Sequence, residues 1–279
     1  MNLTEIFKES FSFSIQNWKK LVILGILLLI PSIIVGVTGT FKSAGALLII
    51  ISIILAIIAA VVTFIIEGYS LSVIGDTIKG SDAIPDFALK ANFVDGFKVI
   101  VVEIVYGIIL AIIFAIILAI TGSLKLLPNL LSTVPVGASN MTAMATPAVN
   151  TAASALPATA SPLAIAGLIL VAIIAIVAVF FMNVSICRLA KTGSIKEALS
   201  WSGITTDLKA IGIGRFVAWY ILLVIITLVL SFIVGIITAF IVLIPIAGPI
   251  VVAIIISLLF IPFVVLFSAR AMGLLYADA

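Results

Sequence analysis

Residues Phe216–Phe267 run for fifty-two positions without one charged side chain. A helix crosses ~30 Å of hydrocarbon in about 20 residues, so this stretch suits two spans and is too long for one. Pro245-Ile246-Ala247-Gly248-Pro249 supplies the break between them. The rest of the chain repeats the theme with shorter apolar runs. Of its 279 residues 65% are apolar and 9% charged, where a soluble domain carries about 25% charged residues. A chain of this length cannot hide so much apolar surface in a core of its own. Hydrocarbon must solvate most of it, and the lipid bilayer is its first expected partner. The formal charge of +3, spread between apolar runs, makes no footprint for nucleic acid, which is not expected as a partner.

The expected fold class is an all-α integral membrane protein. Six transmembrane helices form three hairpins, with short cytoplasmic interfacial helices, in one membrane domain over residues 1–279. The spans fall at about 21–37, 44–66, 99–120, 163–183, 216–240 and 246–267. Pro31 sits inside the first, where it kinks the helix or is satisfied by a neighbour. Residues 121–162 are rich in Ala, Thr, Ser and Pro, with Lys125 as their only charge. They read as a flexible extracytoplasmic loop, and Asn140-Met141-Thr142 within it has the form of a glycosylation sequon.

Residues 2–20 place Leu3, Ile6, Phe7, Phe11, Ile15 and Trp18 on one helical stripe. Glu5, Lys8, Glu9, Ser12, Gln16 and Lys19 take the opposite face. The pattern predicts an interfacial helix lying on the membrane, opened by Asn2 with Glu5 as its reciprocal cap. Between 184 and 215 the chain turns polar, and Ser194-Ile195-Lys196-Glu197 predicts the start of a short surface helix.

Six spans put both ends of the sequence on one side. That side holds twelve of the fourteen Lys and Arg residues, leaving Lys42 and Lys125 on the other. The positive-inside rule then makes this the cytoplasmic side of the cell membrane. A loose threefold rhythm accompanies the spans, each polar cytoplasmic segment leading into a hairpin. Repeat interfaces are where transporters place their sites.

There is one cysteine, Cys187, and no histidine. Zinc, haem and Cys–His chemistry lack their usual ligands and bases, so no cofactor, no metal and no catalytic residue is expected, and the chain does not read as an enzyme. Glu103 lies within the third span. A carboxylate there costs several kcal/mol unless it is neutral, paired or facing water. It is either functional or within a turn of the headgroups, reaching out to water. Glu67, Arg188 and Arg270 stand at the same cytoplasmic level, so Glu67, Glu103, Arg188 and Arg270 are candidates for one polar cluster.

The stretch Glu67–Lys98 carries five acidic residues between two apolar runs. It has too much apolar content to be disordered. The second span's helix is expected to continue past Glu67 toward Ile78, with interfacial helices then holding Phe87, Phe93 and Phe97 against the membrane. Gly68-Tyr69-Ser70-Leu71, Ile78-Lys79-Gly80, Asp82, Ile84-Pro85-Asp86-Phe87 and Phe93-Val94-Asp95-Gly96-Phe97-Lys98 follow one another here. This order resembles a family of prokaryotic, largely archaeal, multi-span membrane proteins of unknown function. The resemblance extends from the N-terminal helix to the sixth span, with 121–162 as an insertion. It implies a hairpin-repeat membrane domain and no activity. It singles out Gly68, Tyr69, Gly80, Asp82, Pro85, Phe87, Asp95 and Gly96 as the loop motif.

The expected role is structural, scaffolding or partner-binding through the cytoplasmic loops, toward other membrane or cytoplasmic proteins or a second copy. The alternative is a small-solute or lipid transporter or channel. Against an aqueous path, the midplane polar residues Ser32, Ser52, Thr63, Thr227, Ser231 and Ser257 are uncharged and can bond their own helices.

Overall fold

The computed structural model describes residues 1–16, 18–39, 46–126, 161–245 and 247–279. Most of the 121–162 loop, the glycosylation sequon and Lys42 lie outside the described residues. Among those described, the chain is helical with no strand. The helices are α1 Leu3–Gln16, α2 Trp18–Gly39, α3 Ala46–Ile78, α4 Leu89–Thr121 and α5 Pro162–Thr192. The short α6 Ile195–Ala198 and α7 Trp201–Ile211 follow, then α8 Ile213–Ile241, α9 Ala247–Ile255 and α10 Ile261–Ala277. Five segments are long and apolar enough to cross a membrane, or six where the pair α1–α2, bent by 80°, counts as one broken span. The protein is a multi-pass membrane protein.

Local chemistry sets the helix ends. Asn2 and Glu5 cap each other across the first turn of α1, N–H to carbonyl oxygen at 2.8 Å and N–H to carboxylate at 2.9 Å. Ser161 caps α5, Ser194 caps α6 and Ser200 caps α7, each hydroxyl taking an orphan backbone N–H. α3 continues past Glu67 to Ile78, as its sequence indicates. Pro31 lies within α2 without ending it. In the last span Pro262 has no N–H to give, and the turn before it, Ile256–Phe260, widens into a π-helix. Gly25 of α2 packs against that turn so closely that a Cβ would stand 2.5 Å from the Leu258 carbonyl oxygen.

Three sequence expectations change. First, there are no separate interfacial helices at Phe87–Phe97. Phe93 and Phe97 belong to the first turns of α4 and pack on Phe64, while Phe87 stacks on Tyr69 with ring centroids 3.9 Å apart. Second, α1 does not lie on the bilayer by its whole apolar stripe. It docks on α10 through Ile6, Phe7, Ser10, Phe13 and Ser14, leaving Phe11, Ile15 and Trp18 outward. The two serines fit because they are small and bond their own helix, Ser10 to the Ile6 carbonyl at 2.7 Å and Ser14 to the Ser10 carbonyl at 2.9 Å. Third, the last span is not 246–267: it runs from Ile256 to Ala277, and thirteen of the seventeen α10 residues are buried, from Pro262 to Tyr276. α10 is the core around which α1, α2 and α3 gather.

The tightest helix pair is α3 with α4, across the polar loop rather than within one of the expected hairpins. The pair crosses at Gly68 and Gly96. A Cβ on Gly68 would fall 1.7 Å from the Asn92 carbonyl oxygen, and one on Gly96 1.7 Å from that of Phe64. Only glycine lets two backbones approach so far. Toward the other end the helices expose their side chains. From Ala46 to Val61 of α3 no described side chain is buried, and beyond Glu103 in α4 only Leu118 is. Ser32, Ser52, Thr63 and Thr227 each donate to the carbonyl four residues back, whereas the Ser231 hydroxyl finds no partner among the described residues.

Candidate functional site

The charged residues at the compact end form ties. Arg270, 3% exposed, bonds Glu9 of α1, Thr77 of α3, and Ser81 and Asp82 of the loop, and its guanidinium lies 4.7 Å from the Phe13 ring centre. Lys20, at the start of α2, donates to the carbonyls of Ile84 and Pro85 and to Asp86 at 2.7, 3.1 and 2.8 Å. That bond and the lysine's charge hold the Asp86 carboxyl below its ordinary range. Arg188 of α5 bonds Glu197 of α6 and Asp207 of α7, and Tyr276 of α10 donates to the same Asp207 at 2.6 Å. Arg215 and the Met1 amino group meet at Asp278; the amino group first, then the guanidinium, hold that carboxyl down.

The loop motif is spent the same way. Tyr69 donates to the Pro85 carbonyl and carries Phe87 on its face. Asp82 faces Arg270, and Asp95 takes Lys98 at 2.7 Å. Gly80 turns the chain at φ +79°, and Gly68 and Gly96 make the crossing. Each of the eight motif residues thus has a contact or backbone duty within the molecule.

The four candidate cluster residues therefore divide among three places. Arg188 and Arg270 are held by acids from α6, α7, α1 and the loop. Glu67 and Glu103 come together elsewhere, on one cavity of about 50 Å³ where five helices meet. α3 gives it Glu67 and Ser70, α4 gives Glu103, α5 gives Asn183, α8 gives Trp219 and α10 gives Ser268. Glu67 is eleven residues from the end of α3 and Glu103 fourteen from the start of α4, about 16 and 21 Å along their helices. Glu67 is 7% exposed and, among the described residues, makes no hydrogen bond or ion pair. Trp219 is 1% exposed, and its indole N–H has no partner among the described residues. Its ring is held between Phe7 and Phe216 at 6.3 and 5.8 Å.

Such a space is large enough for water or one small ion, and its polar groups are set in a mostly apolar lining that includes Leu71, Ile74 and Met272. Two carboxylates within it require a compensating positive charge, a proton or a bound cation. Among the described residues no group of three or more acid, cysteine or histidine ligands is placed to hold a metal ion. The sequence pointed to the two glutamates. It missed Trp219, Asn183 and Ser268, whose only signal is a polar atom inside an apolar run.

No curated protein and no solved structure matches the chain. A family model matches residues 51–239, more than half of it. The match spans most of α3 through α8 and stops short of α1, α2 and α10, narrower than the reach the loop motif implied. The chain belongs to the family described as "Protein of unknown function (DUF4013)".

Proposed function

We propose that this protein binds a small cation, a proton or a monovalent ion, at the five-helix cavity, as the coupling site of a membrane transporter. Glu67 and Glu103 supply the negative charge, and Trp219 and the neighbouring hydroxyls orient the water around the ion. The reading is carried by one observation: both intramembrane carboxylates share a cavity with a buried indole N–H that has no partner among the described residues. Glu67, buried with no hydrogen bond or ion pair among the described residues, is a site by default. Scaffolding through the 67–98 loop is the weaker reading, since its motif residues are each engaged within the molecule. The 67–98 and 184–215 segments and both ends of the sequence face the cytoplasm of a cell membrane in this reading, on the strength of twelve basic residues against two. No catalysis is assigned.

The test uses Trp219 as its own reporter. With Trp18 and Trp201 replaced by phenylalanine, protein reconstituted in phosphatidylcholine vesicles is titrated with acid, sodium and potassium. A fluorescence transition is expected for one of them, absent in Glu67→Gln/Glu103→Gln protein of unchanged helicity. A flat response to all three, or the same transition in the double variant, overturns the proposal.

A further inference from the structure

A second feature lies on the lipid-facing surface, away from the carboxylates. α8 touches its neighbours sparsely, and a groove opens between it and the α1–α2 elbow, floored by the last span. One part, about 420 Å³, is lined by Thr4, Lys8 and Phe11 of α1 and by Leu222 and Ile226 of α8. The next, about 340 Å³, is lined by Ile15 and Trp18, by Val234 of α8 and by Leu259 and Phe260. Both fall in the size range of ligand pockets. Phe11, edge-on to Phe263 at 5.3 Å, stands between them.

From Leu222 to Val234 is twelve residues, about 18 Å of helix. That is close to one leaflet, half of ~30 Å. The walls are apolar for that whole length, and the polar atoms gather at one end. There Lys8 is exposed and, among the described residues, makes no ion pair. Glu5 faces its own helix cap and Glu9 faces Arg270, so Lys8 is the charge left at the mouth. A void between helices within hydrocarbon does not stay empty, because lining atoms without neighbours forfeit their dispersion contacts.

We propose that this groove is a phospholipid site: one acyl chain lies along α8 from Leu222 to Val234, and the phosphate sits at Lys8. An anionic headgroup is preferred, because the lysine offers charge and three donors with no acceptor. The α1–α2 elbow makes the site. The two helices meet at 80°, with Lys8 lining one end of the groove and Trp18 the other.

The experiment is native mass spectrometry of the whole protein released from vesicles of equal phosphatidylglycerol and phosphatidylcholine. The parent protein is expected to retain one phosphatidylglycerol. Ile226→Trp, which fills the groove, should lose it. Lys8→Gln should lower the preference for phosphatidylglycerol about fivefold, the factor equal to ~1 kcal/mol per basic residue at a membrane surface. Ile112→Trp, on the exposed face of α4, should retain lipid as the parent does. Loss from Ile226→Trp with retention by Ile112→Trp supports the site even if that variant melts lower. Equal retention by both tryptophan variants, or a mixture reflecting vesicle composition alone, means ordinary annular contact and overturns it.

Discussion

The two ends of this molecule are built by different forces. At the end that carries the loops, α10, the end of α3, the start of α4, α1 and α7 close around Trp219, Phe267 and Leu275, all nearly inaccessible. At the other end the same helices show long faces of isoleucine, among them Ile49, Ile53, Ile57, Ile108, Ile112 and Ile116. Burying apolar surface from water yields about 25 cal/mol per Å². Against lipid there is no such gain, and helices hold by close packing and hydrogen bonds. The compact end is where water can drive the helices together; the open end is where lipid already satisfies them. Identical sequence chemistry, runs of Ile, Leu and Val, thus gives a core in one place and a surface in the other.

The sharpest way to break that comparison is to remove a tie from the compact end. Arg270→Ala leaves Glu9 and Asp82 facing each other without their shared cation. A loss of about 2–3 kcal/mol is expected, from the buried guanidinium's hydrogen bonds to charged partners, since the acids left behind reach water. Lys20→Ala removes a more exposed tie and should cost no more than about 1 kcal/mol. Thermal unfolding in detergent, followed by far-ultraviolet circular dichroism, measures both. Equal losses would mean that burial does not distinguish these ties.

Glycine supplies the next contrast, within one chemical change. Gly68→Ala drives a methyl group into the Asn92 carbonyl and should cost on the order of 3 kcal/mol, the upper range for overpacking. Gly107 of α4 has no neighbour within 4 Å of the place a methyl group would take. Gly107→Ala should therefore raise stability by up to about 1 kcal/mol through helix propensity alone. The same melting experiment reads both signs. If Gly107→Ala also destabilises, the open end is packed by something other than lipid.

A smaller effect separates the ends again. Ile74→Val, in the core at 1% exposure, should cost about 0.5–1.5 kcal/mol. Ile112→Val, facing outward at 57% exposure, should stay within about 0.5 kcal/mol. Matched losses in detergent and in lipid vesicles would place Ile112 against protein instead.

These contrasts also explain what could be read from the sequence. The all-helical fold and the presence of five or six long apolar helices were legible because run length and charge are properties of the chain itself; the place of the last was not, since it runs from Ile256 to Ala277 and not from 246 to 267. Also legible were the extension of α3 to Ile78 and the caps at Asn2 and Ser194, which are local. The buried face of α1 was not, because Phe11 and Ile15 are as apolar as Ile6 and Phe7. Only the shape of α10 selects Ser10 and Ser14 for the inside. Nor was the burial of α10 itself legible, since a helix surrounded by helices and one surrounded by lipid share a composition. Of the candidate site, Glu67 and Glu103 stood out as acids beside apolar runs. Arg188 and Arg270 matched them in depth, but helices distant in sequence bring Asp207, Glu9 and the loop's Asp82 closer to those two arginines.

The smallest effect tests whether the loop is fastened from outside as well as within. Lys20 holds Asp86, whose carboxylate is almost fully exposed, and lowers its pKa below the ordinary carboxylate range. A group lowered on folding adds stability above its unfolded pKa of about 4. It loses that contribution as the pH falls through the folded value. Stability contributed by this contact should therefore be constant from neutral pH to about 5 and decline only in acid. Lys20→Met removes the partner, so the melting temperatures of parent and variant should approach each other as the pH drops below about 4. Because the pair is exposed, added salt should narrow the gap at neutral pH as well. Lys20 also bonds the Ile84 and Pro85 carbonyls, which do not titrate, so a residual gap should survive in acid. A gap that stays constant across the whole range would assign the work of Lys20 to those two carbonyls alone, and the fastening of the loop to backbone rather than charge.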